Sequence, residues 1–164
     1  MEKSDGVFIH VPRTAGTSIR FLVGGEGGHK KATELDLKDT FSFAFVRNPY
    51  DRLLSAFHHR HRGATQQGFS RFVETLETSE AENHHLYNSM CYWLCGPEGV
   101  ILPSFVGRYE NITEDWKLVS ERIGIYEGLP WLNMLNTPDW YMPETKEKVY
   151  KIYKKDFKIF GYEQ

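Results

Sequence analysis

The chain has 164 residues, 40% of them hydrophobic and 26% charged, with a formal net charge of -2 when the histidines are neutral. That composition supports one domain with one core and excludes a disordered chain. The slightly negative balance argues against a nucleic-acid partner, which calls for a net basic field, but it allows a local basic pocket for a polyanion. No run reads as a membrane span and nothing ahead of Val7 reads as a signal peptide, so no membrane partner and a cytoplasmic location are expected.

The first predicted strand is Val7–Val11, stopped by Pro12. Ala15 and Gly16 let the backbone approach something closely, and Thr17 and Ser18 open a helix carrying Ile19, Leu22 and Val23 at helical spacing. Strand, small-residue loop and helix N-terminus together form an anion cradle: backbone N–H groups point inward and the helix dipole favours negative charge. Arg13, Thr14, Thr17 and Ser18 add side-chain donors.

A glycine-rich loop follows at Gly24–Gly28, then a polar stretch in which Thr33–Lys38 reads as a short helix or a strand edge. Phe41–Val46 is apolar on both faces, as befits a strand inside a parallel sheet. Arg47 ends it, Asn48 has N-cap character, Pro49 suits the first helical position and Asp51 complements the dipole. Arg52 reads as a helix-surface charge. Gly63–Gly68 is a polar loop, and Phe69, Phe72, Val73 and Leu76 mark the next helix. Asn83–Cys95 is expected to be helical. Cys91 and Cys95 share a face there, a poor disulfide pair and too few thiols for zinc, and read as small buried hydrophobes.

Leu102–Tyr109 reads as a third strand and Thr113–Ile123 as a helix with Trp116, Leu118, Val119 and Ile123 inward, closed by Gly124. Leu129–Pro143 is irregular, and a last helix runs from Pro143 to Asp156. The Asn111-Ile112-Thr113 sequon reads as chance. Strands followed by helices, with ligand-type residues at strand ends, give an α/β fold: a single domain spanning 1–164, with a central parallel sheet flanked by helices. Such sheets bind ligands outside the carboxyl ends of their strands.

A magnesium–triphosphate site is the first alternative to test. Aligning Gly16 with the second glycine of the Walker pattern puts Val11 at the first glycine and Thr17 at the lysine, and the second strand ends in Arg47 where a metal-binding aspartate is needed. The site offers cations and amides instead, which suits an anionic donor and no metal.

His10–Ser18, His-Val-Pro-Arg-Thr-Ala-Gly-Thr-Ser, resembles the 5′-phosphosulfate loop of PAPS-dependent sulfotransferases, above all the carbohydrate (heparan-sulfate-type) group and its bacterial and viral relatives. Phe45–Phe57 resembles their 3′-phosphate motif. Gly107–Asn111 with Asp115-Trp116, and Ile152–Phe157 with Phe160–Tyr162, resemble later family segments, so the likeness spans almost the whole chain. It implies a nucleotide-kinase-like fold and transfer of a sulfuryl group from PAPS to an acceptor, leaving adenosine 3′,5′-bisphosphate (PAP).

On this resemblance Arg13, Thr14, Ala15, Gly16, Thr17 and Ser18 bind the 5′ end of the nucleotide, and Arg47 and Ser55 hold the 3′-phosphate. The alternatives are helix capping for the loop, and for Arg47 an ion pair with Asp51. Arg13 stands where the family commonly has lysine. It keeps the positive charge for the leaving group but cannot serve as a proton donor. His29 is the candidate base, with an unperturbed imidazole pKa of ~6.5 suited to the task. His10 reads as structural, and His58, His59, His61, His84 and His85 as exposed surface and not a metal site. Arg108 and Glu110 read either as pocket floor or as an ion pair ordering the strand–helix junction. The expected acceptor is a glycan or small metabolite. A non-catalytic nucleotide-binding module on the same fold is the second reading, and a metal-independent phosphotransferase the third.

Overall fold

The apolar run Phe41–Val46 is the middle strand, β2, of a three-stranded parallel sheet in the computed structural model, which describes residues 6–24, 28–76, 84–130 and 139–164. β1 (Gly6–Phe8) and β3 (Phe105–Arg108) lie on either side of it. The register pairs Phe8 with Phe43 on one edge, and Phe43 with Phe105 through Val46 with Arg108 on the other. β2 is buried on both faces, which is why it carries no polar alternation.

The chain divides into two compact units. One comprises Met1–Arg47 with Met90–Met134, the other Asn48–Ser89 with Leu135–Gln164. The first unit holds the sheet, α1 (Gly16–Val23), α4 (Met90–Leu94) and α5 (Ile112–Ile123). Ile19 from α1 and Ile112, Trp116, Val119 and Ile123 from α5 close over Phe43 and Phe45. The second unit is helical: α2 (Pro49–Arg60), α3 (Gln66–Thr75), α6 (Pro143–Ile152) and α7 (Lys154–Phe160). Its core joins Leu53, Leu54 and Phe57 of α2 to Phe69 and Val73 of α3 and to Val149 and Phe157. The α/β class, the parallel sheet and the flanking helices agree with the sequence reading.

Several boundaries move, each for a local reason. β1 ends at Phe8. The Ile9 N–H still reaches the Phe43 carbonyl at 2.9 Å, but the chain then turns toward Pro12, which has no donor for a ladder. α1 begins at Gly16, one residue ahead of the Thr17-Ser18 start. Regular helix within Asn83–Cys95 is confined to α4, with a turn at His84–Tyr87, while Asn83 lies outside the described residues. The third strand is shorter than expected because Cys95 and Ile101 form their own antiparallel bridge and Pro103 intervenes. α5 starts at Ile112 after a 3₁₀ turn at Tyr109–Asn111, and Leu118 is 57% exposed, not inward. The last helical stretch breaks at Tyr153, whose backbone (φ -102°, ψ 22°) leaves the helical range before α7 resumes. Residues 131–138 of the expected irregular stretch, and 25–27 of the glycine-rich loop, lie outside the described residues.

Candidate anion-binding site

The chain leaves β1 through a tightly constrained turn. Arg13 and Ala15 both have positive φ, 67° and 66°, in the left-handed region that residues with a Cβ rarely adopt. Such strain persists where the surroundings enforce it and concentrates at functional sites. Thr14 lies between them, fully buried, and its hydroxyl donates to the Val11 carbonyl at 2.9 Å. That hydroxyl closes the turn, so what Thr14 can offer an anion is its amide.

Ala15 is the N-cap of α1, with no side chain capping the helix and no acidic residue in its first turn. The first helical bond runs from the Ile19 N–H to the Ala15 carbonyl at 3.2 Å. The N–H groups of Gly16, Thr17 and Ser18 therefore precede any i−4 acceptor within the helix, at its positive end. Thr17 is exposed and Ser18 buried. A cradle of this form accepts a phosphate or sulfate oxygen on backbone donors.

Gly16 is glycine for a specific reason. A Cβ there would overlap the imidazole of His10, which lies against the first turn of α1. Arg20 of α1 donates from Nη2 to His10 Nδ1 at 2.5 Å and to the Gly28 carbonyl at 2.6 Å. His29, next in the chain, bonds through Nδ1 to the His10 carbonyl at 2.8 Å. The two imidazole rings sit 4.2 Å apart, and Trp93 of α4 packs 5.6 Å from His29. The structure thus brings the candidate base and the loop together through His10 and Arg20, residues that the sequence reading left out of the site.

The second cation arrives through the sheet. Parallel pairing sets Val46 beside Arg108, so the next residues, Arg47 and Tyr109, leave the sheet side by side. The Arg47 guanidinium lies 4.2 Å from the Tyr109 ring centroid, a cation–π contact. Its Nε is buried and has no hydrogen-bond partner. Burial and then the Arg47 charge hold the Arg13 pKa below its ordinary value, with Tyr109 acting in the opposite sense. Arginine stays protonated despite such a shift. Two guanidiniums in electrostatic reach of each other, one with a buried donor unsatisfied, form an unfavourable arrangement that an incoming anion relieves.

Asp115 orders the β3–α5 junction, accepting from the Arg108 backbone N–H at 2.6 Å and from Asn111 Nδ2 at 2.9 Å. The junction rests on that carboxylate, part of the Asp115-Trp116 segment, to which the sequence reading assigned no such part. Gly107 leaves room there for the Phe45 ring, since a Cβ would come within 2.5 Å of Phe45 Cε1.

Several of the predicted residues belong to the helical unit. Ser55 belongs to the helical unit, on α2, and is 2% exposed. Arg52 corrects the sequence reading: it is 1% exposed, not a surface charge. Its guanidinium donates to the Leu86 and Asn88 carbonyls at 3.3 and 2.7 Å and lies 5.5 Å from the Tyr153 ring. His58 packs on Trp140 and is only partly exposed, His61 stacks on Phe57, and His84 meets Arg60. Among the described residues no three His, Cys, Asp or Glu side chains gather as a metal site, and none of the helices is long and apolar enough to cross a membrane. Cys91 and Cys95 form no disulfide and are half-buried, less buried than expected.

A parallel α/β sheet with cations and a helix N-terminus outside its strand ends is an arrangement able to accept a polyanion. The sequence narrows that class: the sulfotransferase family model matches residues 26–163, and the chain belongs to this family of enzymes. The matched region contains the Arg47–Ser55 motif and the later segments, while the Pro12–Ser18 loop precedes it. The chain is 25% identical to carbohydrate sulfotransferase 12 of Xenopus laevis, over 79% of this chain and 41% of the relative. It is 27% identical to carbohydrate sulfotransferase 14 of Danio rerio and to carbohydrate sulfotransferase 11 of Mus musculus, each over 77% of this chain, covering 45% and 48% of those proteins. The chain spans less than half the length of these curated relatives. No solved structure matches it.

Proposed function

We propose that this chain is a PAPS-dependent sulfotransferase, moving a sulfuryl group to an acceptor hydroxyl on a carbohydrate or a small metabolite, with both units acting as one domain. The observation that carries the reading is Arg47 at the end of the middle strand, buried at Nε without a partner and adding its charge to burial in lowering the pKa of Arg13. A donor with phosphates at both its 5′ and 3′ positions supplies the missing negative charge.

The amides of Thr14 to Ser18 hold the 5′-phosphosulfate, and Arg47 with Ser55 the 3′-phosphate. In the transfer, the bond from sulfur to the bridging phosphate oxygen breaks and a bond from sulfur to the acceptor oxygen forms. His29 takes the acceptor proton, and the electron pair of the broken bond stays on the phosphate of PAP. Arg13 stabilises that developing charge, where fixed donors act most strongly on the barrier. The similarity to carbohydrate sulfotransferases favours a carbohydrate acceptor.

Incubating the protein with labelled PAPS and a panel of polysaccharide, oligosaccharide and small hydroxylated acceptors, with mass spectrometry of the products, tests this directly. A sulfated product is expected. PAP binding with no product from any acceptor, and no PAP release, would favour the non-catalytic nucleotide-binding module. Turnover is expected to survive EDTA. Loss on chelation, restored by magnesium or zinc, would overturn the metal-free transfer.

A further inference from the structure

The hydrogen bonds around His10 have a definite sense. A guanidinium has donors and no acceptor, so the bond from Arg20 Nη2 makes His10 Nδ1 the acceptor. The proton of His10 is then on Nε2, the nitrogen that lies against Gly16 at the start of α1. The carbonyl of His10 only accepts, so His29 Nδ1 is the donor in their 2.8 Å contact. In the neutral ring of His29 this leaves the lone pair on Nε2.

We infer that Arg20, through His10 and the Gly28 carbonyl, is a positioning residue that fixes His29 in the tautomer whose Nε2 can accept a proton. Arg20 is suited to this because one nitrogen serves two acceptors, His10 Nδ1 and the carbonyl of the residue preceding His29. It also stands on α1, whose first turn is the anion cradle, so one rigid helix carries both the donor site and the anchor of the base. The Trp93 ring lies beside that of His29, with centroids 5.6 Å apart. A base held in the wrong tautomer presents N–H where a lone pair is needed, and misplacement on the ångström scale costs orders of magnitude in rate.

The inference rests on the reading of His29 as base, and the experiment separates the two. Long-range ¹H–¹⁵N spectra of the histidine-labelled protein at neutral pH report each tautomer without any acceptor or variant. They are expected to show His29 protonated on Nδ1 and His10 on Nε2. In Arg20→Met, His10 should lose its single tautomer and His29 should shift toward the Nε2–H form, with PAP affinity unchanged by calorimetry. PAP release from PAPS, with water as the acceptor, should fall by on the order of 10- to 100-fold. An Nε2–H tautomer at His29 in the unaltered protein overturns the inference, as does an Arg20→Met protein with unchanged tautomers and unchanged PAP release. His29→Ala with undiminished release, alongside the expected tautomers, would instead overturn the reading of His29 as base.

Discussion

Arg47 and Arg52 stand five positions apart in one motif and meet opposite fates. Arg52, in the helical unit, is buried and donates to two backbone carbonyls while an aromatic ring covers it. Both keep a buried Nε without a partner, but Arg47, in the sheet unit, lies over Tyr109 and beside a second arginine, Arg13, whose pKa is lowered by burial and then by the Arg47 charge. A cation closed off by carbonyls works for the fold. On the proposed reading, a cation set beside another cation is held for a ligand. Substitution at each should therefore fail differently, in stability at Arg52 and in binding or rate at the sheet edge.

The largest expected effect is Arg52→Met. It strips the Leu86 and Asn88 carbonyls of their donor in a buried setting, which should cost about 2–4 kcal/mol. For a chain of this size that is roughly 5–15 °C in Tm by calorimetry. PAP affinity measured on the folded fraction should be unchanged. A normal Tm with weakened PAP binding would place Arg52 among the ligand residues and erase the contrast.

Arg13→Ala should follow, lowering kcat by on the order of 100-fold, about 2.7 kcal/mol, because the charge that Arg13 stabilises appears mainly in the transition state. Nucleotide binding should weaken less, and Arg13→Lys should retain activity. Steady-state kinetics with the acceptor found in the screen separate these. Equal losses in PAP affinity and kcat/KM would mean that Arg13 holds the ground state only.

Arg47→Met sharpens the comparison from the other side. The protein should bind PAP more tightly than AMP, and the variant should lose about tenfold in PAP affinity, about 1.4 kcal/mol, with AMP little affected. Its Tm should hold or rise, because a like-charge contact is relieved. Isothermal calorimetry with both ligands checks this, and equal affinities in the unaltered protein would remove the case for a 3′-phosphate site.

The parts of this contrast were unequally legible in the sequence. Phe41–Val46 announces itself because a strand buried on both faces has to be continuously apolar, and Asn48-Pro49 marks the following helix since its side chain does accept from the Tyr50 N–H at 2.9 Å. Arg47 was legible at the sheet edge because it ends a continuously apolar strand. The burial of Arg52 was not, because its acceptors, Leu86 and Asn88, lie more than thirty residues away and no local pattern announces two carbonyls turned toward an arginine. Tyr109 beside Arg47 follows from sheet register, which a sequence fixes only once the strand ends are known. His10 and Arg20 share the next limitation. Their contacts link His10 to Arg20 ten residues on and to His29 nineteen residues on, and a lone histidine beside a strand gives no hint of them.

The smallest expected effect concerns pH and belongs to the helical unit. Burial lowers the pKa of His58, His61 and His84, with Arg60 adding to the last two and His85 to His84. A lowered native pKa means that the unfolded chain binds protons first, starting near the unperturbed value of ~6.5. Between that value and the native one the unfolded state carries more protons, so stability falls as pH falls through the window and rises again with pH. His58 should dominate, because its Nε2 is buried without a partner and its ring lies 4.2 Å from Trp140, where a new charge meets no acceptor. Thermal melts at about pH 5.5, 6.5 and 7.5 lie above the usual carboxylate range near ~4 and isolate the histidines. The unaltered protein should lose Tm over that interval, and His58→Phe, which keeps an aromatic ring against Trp140, should lose less. At fixed pH the variant should bind PAP as before, since His58 lies in the unit where charge serves the fold. Parallel Tm profiles would move the proton uptake to His61 and His84, and a change in PAP affinity would break the division between the two regions.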